Sequence, residues 1–211
     1  MRDRGFTLIE LMIVIAIIAI IAAIAIPNLR EAQRNANETA AVTTLRQYLS
    51  AQGTYHRTDY DADQAKEYAV NLYTLYDWDN DAGNNAVTPP IRLVDLACAQ
   101  AEVSAGYDGT MRPRSGYRFS DQTTDVNGNL FQAPSGALGD LAPAGYIDGF
   151  GLTAGPETYN RTGLKTFIIN DEGTVYENIL VDNQFDGTSA LVDPVAQWPD
   201  LEGANWIMVG E

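Results

Sequence analysis

The chain has 211 residues and a mass of 23.0 kDa, with 13 basic against 28 acidic side chains, a formal charge of −15. That excess of carboxylates repels nucleic acid and anionic lipid, so no nucleic-acid partner is expected; it suits a soluble outer face or divalent-cation binding. A single cysteine, Cys98, excludes an intramolecular disulfide, and a single histidine, His56, without a cysteine cluster argues against a zinc site.

Arg2 and Arg4 precede an apolar run, Phe6 to Ile26, broken by one carboxylate, Glu10. As a helix this run reaches roughly 30 Å, the thickness of a bilayer core. The positive-inside rule keeps the arginine-bearing end in the cytoplasm and sends the chain after Pro27 outward. Glu10 is the anomaly, since an acid in hydrocarbon costs on the order of 2–3 kcal/mol. It calls for a cationic partner. A cut before Phe6 would supply an α-amine, with Glu10 four residues on, about 6 Å along the helix. A helix N-terminus also favours an acid. Glu10 could offset its own chain's amine or, in a staggered pair, the Phe6 amine of the next chain. The second arrangement makes burial of the charge conditional on assembly. A plain single-span anchor gives no reason for Glu10. A secretory signal cut after Ala23-Ile24-Ala25 is opposed by the acid and by the helical pattern that continues past it.

Residues 28–52 continue the helix into water. Leu29, Ala32, Ala36 and Ala40, then Ala41, Leu45, Tyr48 and Gln52, step by three and four, while Arg34 and Glu38 form an i,i+4 pair elsewhere on the surface. Gly53 is the expected stop. Pro27 removes one amide from the ladder, and a kink, local melting or a mild bend all remain open.

Gly5-Phe-Thr-Leu-Ile-Glu10, the unbroken Ile/Ala run after it and Ile26-Pro-Asn28 resemble the N-terminus of type IV pilins and of the related type II secretion pseudopilins. The resemblance is specific over about residues 4–28, fades to a helical pattern near Tyr55 and is only general beyond. It implies that a membrane peptidase cuts after Gly5 and methylates Phe6, that Glu10 is the family glutamate used in filament assembly, and that Pro27 is the helix-softening proline. It also implies self-association into a helical homopolymer, a prepilin peptidase/methyltransferase and an inner-membrane assembly platform as partners. Many pilins close their C-terminal region with a disulfide; this chain cannot, and another lock, a longer sheet or calcium, must replace it.

Past the long helix, residues 66–76 read as a short helix with Tyr68, Leu72, Leu75 and Tyr76 on one side. A second begins with Thr88 as N-cap and Pro89 at the first position, carries Ile91, Val94, Ala97 and Cys98 on its inner face, and fades near Ser104. Cys98 reads as a buried helical thiol. Gly116–Ser120 is a predicted strand, Asn127-Gly128 a turn, and Asn129–Gln132 a short strand. Residues 133–163, rich in glycine with three prolines, are predicted as a long loop. Leu164–Asn170 and Thr174–Val181 form the clearest hairpin, with Phe167, Ile169, Val175 and Ile179 offered to the long helix. Asn205–Val209 is a candidate last strand. No internal repeat or low-complexity block is present.

Asp77-Trp-Asp79-Asn-Asp81-Ala-Gly83 alternates carboxylates like the first half of a calcium loop. As an EF-hand it fails, because its glycine is one place late and Thr88 stands where the twelfth-position glutamate belongs. Asp182, Asn183, Asp186 and Gly187 form a second oxygen-rich turn; pseudopilins bind calcium near the C-terminus, so the resemblance gives this turn weight. A solvated acidic loop is the plainer account of both. No nucleophile elbow accompanies His56, which reads as a surface residue, and no glycine cluster precedes the Lys-Ser/Thr of a phosphate loop. Asn37-Glu-Thr39 and Asn160-Arg-Thr162 match a glycosylation sequon. The tyrosines read as core and helix-stripe residues or as interface contacts.

The expected fold is α+β: a leader at 1–5, a long N-terminal helix at 6–53 with 6–26 crossing the membrane, and a headgroup at 54–211 whose antiparallel sheet packs on the helix's amphipathic half. The expected function is a structural, non-enzymatic subunit of a type IV pilus-like filament supporting adhesion or motility. It waits in the inner membrane with its leader cytoplasmic and its headgroup periplasmic, then enters a surface pilus. A type II secretion pseudopilin, or a membrane-anchored extracytoplasmic binding protein or enzyme, is the alternative.

Overall fold

The computed structural model describes residues 6–58, 66–76, 91–102, 112–125, 127–131, 145–179 and 206–210. One helix, α1 (Leu8–Tyr55), dominates them, followed by two short helices, α2 (Leu72–Tyr76) and α3 (Leu96–Ala99). Five strands follow: β1 (Tyr117–Asp121), β2 (Gly151–Pro156), β3 (Thr166–Asn170), β4 (Val175–Asn178) and β5 (Ile207–Met208). They form one antiparallel sheet in chain order.

Among the described residues, none packs on the first half of α1 to bury it. Its 18-residue window of highest mean hydropathy, 3.1, is entirely uncovered. The second half is sealed: Ala41, Thr44, Leu45, Tyr48, Ala51, Gln52 and Tyr55 are buried. This is the three-and-four spacing read from the sequence. Its earlier members Leu29, Ala32 and Ala36 stay exposed, because the sheet does not reach that far down the helix. The helix passes through Pro27 and also through Gly53, ending at Tyr55 with His56 as C-cap. Gly53 is no stop because the burial of Ala51, Gln52 and Tyr55 favours another turn by more than one glycine disfavours it.

Side chains alternate across the sheet as the pleat requires. Phe119, Ala154 and Phe167 lie in register on the face toward α1, as do Leu152, Ile169 and Val175. Tyr48 meets Phe150 edge-on at 5.6 Å beside this layer. Gln52 is wholly buried, yet its amide is fully used. Its Oε1 accepts from Ala69 N at 2.8 Å, and its Nε2 donates to Ala69 O and to the Tyr48 hydroxyl, each at 2.7 Å.

Several sequence expectations need correction. β2 lies inside the segment predicted as loop. It carries Gly-Leu-Thr-Ala-Gly-Pro, all buried, as the strand between β1 and β3. Small residues are required there: a Cβ on Gly151 would come within 2.8 Å of Gln122 and 3.2 Å of the Ile169 carbonyl. Of the strand predicted at Asn129–Gln132, the described residues show one bridge, Thr124 with Leu130, and Gln132 lies outside them. The helix predicted over 66–76 forms only from Leu72, because Tyr68 pairs with Tyr146 in an isolated bridge instead. The second short helix begins at Leu96, capped by Asp95, with Arg92 in the left-handed region at φ 48°. Thr88 and Pro89 lie outside the described residues. Phe167, Ile169 and Val175 pack as expected, but Ile179 is exposed.

Arg34 and Glu38 do not pair with each other. Both turn to the 158–164 loop: Arg34 Nη1 donates to the Asn160 carbonyl at 3.3 Å and to its side-chain oxygen, and Glu38 accepts from Leu164 N at 2.9 Å. Asn37 Nδ2 donates to the Thr162 carbonyl at 2.8 Å between them. Three residues over little more than one helical turn thus pin this loop to α1, and both sequon asparagines are used in the clamp.

Candidate assembly site

The start of α1 is a capping box, the pattern Thr-x-x-Glu. Thr7 is the N-cap. Its Oγ1 accepts from Glu10 N at 3.4 Å and donates to Glu10 Oε2 at 2.6 Å, and its backbone N donates to the same oxygen at 2.8 Å. The spacing of Thr7 and Glu10 carries this signal in the sequence, and the acid at a helix N-terminus agrees with it. Glu10 is therefore folded back over the first turn, next to Phe6, which is 77% exposed. In a chain cut after Gly5, the new α-amine would lie one residue from the group that already donates to the carboxylate. Phe6, Glu10 and the Ile/Ala run thus form one exposed apolar rod with a polar tip. Pro27 sits at its far end, leaving the Ala23 carbonyl without its usual amide donor.

The other candidate residues fall apart from this tip. Asp77, Asp79 and Asp81, and likewise Asp182 and Asp186, lie outside the described residues. Gly5 lies outside them too. His56 is half-buried and stacks on Tyr68, with ring centroids 4.2 Å apart. Cys98 is buried as expected, and Arg114 Nη1 donates to its Sγ at 2.7 Å while pairing with Asp95 at 2.9 Å. Burial pushes the thiol up to about 11, with Arg114 pulling the other way. A groove of about 390 Å³ between α1 and α3 is bordered by Ser50, Ala51, Val94, Asp95 and Cys98.

Residues 1–26 match the model described as the prokaryotic N-terminal methylation motif, the segment that holds the Thr7–Glu10 box. Over part of its length the chain is similar to type IV pilins. Over residues 26–201 the chain belongs to the family described as "Protein of unknown function (DUF2950)". The chain is 54% identical over 54 residues to the type IV major pilin protein PilA of Myxococcus xanthus, a match covering 26% of the chain and 24% of that protein. It is 45% identical over 71 residues to the type IV wide pilus major component PilA4 of Thermus thermophilus, covering 33% of the chain and 54% of that protein. The matched stretches thus span between about a quarter and about half of these two relatives. No solved structure matches the chain.

Proposed function

We propose that this chain is a structural subunit of a type IV pilus-like helical filament, built around the Phe6–Ile26 half of α1. The observation that carries the reading is the division of α1: a processing motif opens a helix whose first half is bare and whose second half is the spine of a folded headgroup. A rod so apolar must be covered by lipid or by other copies of itself. The names of the two relatives, a major pilin and a wide-pilus major component, favour a pilus over a secretion pseudopilus.

In this reading the leader faces the cytoplasm and the headgroup the periplasm. A prepilin peptidase cuts after Gly5 and methylates Phe6, and an inner-membrane platform extracts the subunit into the polymer. Glu10 then exchanges its Thr7 contacts for the Phe6 amine of a neighbour. Calcium belongs to the same reading as a ligand of the turns at Asp77–Gly83 and Asp182–Gly187. Mass spectrometry of the working protein tests the processing step. A methylated Phe6 terminus is expected; an intact leader, or a terminus at Ile26, sinks the reading.

A further inference from the structure

The two ends of the headgroup differ in charge. At the end nearer the bare helix, the 158–164 loop is pinned at Arg34, Asn37 and Glu38, and at its tip the Arg161 side chain is exposed. Among the described residues that guanidinium has no ion-pair partner. The β3–β4 turn marks the other end, where Gly173 (φ +82°) lies close against Leu49. Leu49 is roughly 20 Å further along the helix than Arg34.

Beside that turn lies a cavity of about 190 Å³, walled by Asp125, Asp148, Asp171, Glu172, Asn170 and the Phe131 ring, with no basic side chain among the described residues of its lining. Asn170 is only 4% exposed, and its side-chain Oδ1 takes no hydrogen bond, although its Nδ2 lies 3.5 Å from Glu172 Oε2. A buried carbonyl oxygen without a donor is costly and is normally partnered. Asp125 already accepts from the amides of Asn127 and Asn129. Burial, then the charges of Glu172 and Asp125, hold the Asp171 carboxyl above its usual range. Among the described residues no three such groups gather closely enough to hold a metal ion. The space instead suits a planar guanidinium, which carries five donors for spaced carboxylates and an amide oxygen, and stacks on an aromatic face.

We propose that this acidic cavity receives the Arg161 side chain of a second copy of the chain, stacked head to tail. Complementary patches at opposite ends of one subunit make a heterologous contact, the kind that propagates into an open helical polymer. Charge complementarity favours this occupant, since each copy of so acidic a chain carries the missing cation at its other end. Glu172, Asp171 and Asp148 bind the guanidinium, Asn170 Oδ1 accepts one of its N–H groups, and Phe131 lies under its plane. The proposal rests on the filament reading. Cells whose unaltered chain makes no filaments count against that reading, whereas filaments indifferent to Arg161 count against this contact alone.

Arg161→Glu should cut the yield of sheared filaments by more than about tenfold while the membrane-inserted subunit stays at its normal level. Adding Asp171→Arg to it should restore assembly. As an independent measurement, the pair Arg161→Cys and Glu172→Cys in a Cys98→Ala chain, co-expressed with the unaltered chain so that filaments form, should give disulfide-linked dimers on oxidation, and either single cysteine should not. Normal yield from Arg161→Glu, or oxidised filaments in which the double-cysteine chain runs only as monomer, overturns the proposal. Where the charge swap fails to restore yield, the cross-link decides.

Discussion

Between Leu8 and Ile26 the long helix carries Ile, Leu, Val and Ala on every side and almost none is covered; between Ala41 and Tyr55 it carries one stripe, and the sheet seals it. The same backbone geometry thus serves two kinds of burial. In the second half burial is intramolecular, against a sheet face on which Leu152, Ile169 and Val175 stand in register. In the first half burial is deferred to lipid or to other copies, and among the described residues the one side-chain polar contact there is that of Glu10 with its own Thr7. A single chain can therefore fold its headgroup to completion while its assembly surface stays unsatisfied.

The division predicts that damage to one half spares the other. The largest effect is expected from Glu10→Gln: filament yield should fall by more than about tenfold, since a neighbour's amine loses its acid. The thermal midpoint of the headgroup should not move, because among the described residues the Glu10 side chain hydrogen-bonds only Thr7, far from the sheet. Filaments at normal abundance would break the comparison. Leu45→Ala, at a wholly buried position, should cost about 2–5 kcal/mol, read as a lower urea midpoint, with membrane insertion unchanged. Gln52→Ala should cost about 1–3 kcal/mol, since both backbone groups of Ala69 lose their partner.

Smaller effects come from titration. The Cys98 thiol holds its proton more tightly folded than unfolded. Its contribution is therefore present below the ordinary thiol value of 9.0 and is lost as pH rises toward about 11. Urea midpoints over that range should fall less steeply for Cys98→Ala, and the folded protein should resist alkylation near neutral pH, with the rate rising on unfolding. The smallest effect is Asp171→Asn. Its carboxyl is raised chiefly by burial, so as the pH climbs past the ordinary value of 3.8 the ionised group favours the unfolded chain. At neutral pH the substitution should raise the midpoint of the isolated subunit slightly. A lower midpoint would mean that the acidic cavity is satisfied within one chain.

Much of this was legible in the residues. The apolar run, its acid and the Gly5–Glu10 motif announced α1 and the likeness to type IV pilins, because hydropathy and an N-terminal motif are local properties. The β3–β4 hairpin was legible through alternation around Asp171-Glu172-Gly173. β2 was not, because a strand covered on both faces and crowded by Gln122 takes Gly, Thr and Ala, which read as a turn. Residues 66–71 carried helical spacing, but Tyr68 found a backbone partner in Tyr146, far along the chain. Thr7 was overlooked although its spacing to Glu10 is a capping box.

By itself, the sequence determined that there would be a membrane-length helix with one acid near its start, an amphipathic continuation and a sheet to cover it. Those outcomes follow from period, charge and length, which act between near neighbours. Only the tertiary structure decided where α1 ends, that Arg34 and Glu38 clamp a loop rather than each other, and that four carboxylates and an unpartnered asparagine oxygen share one cavity. Each depends on groups distant in the chain competing for the same hydrogen bond or the same space, and that competition is settled only when the sheet closes on the helix.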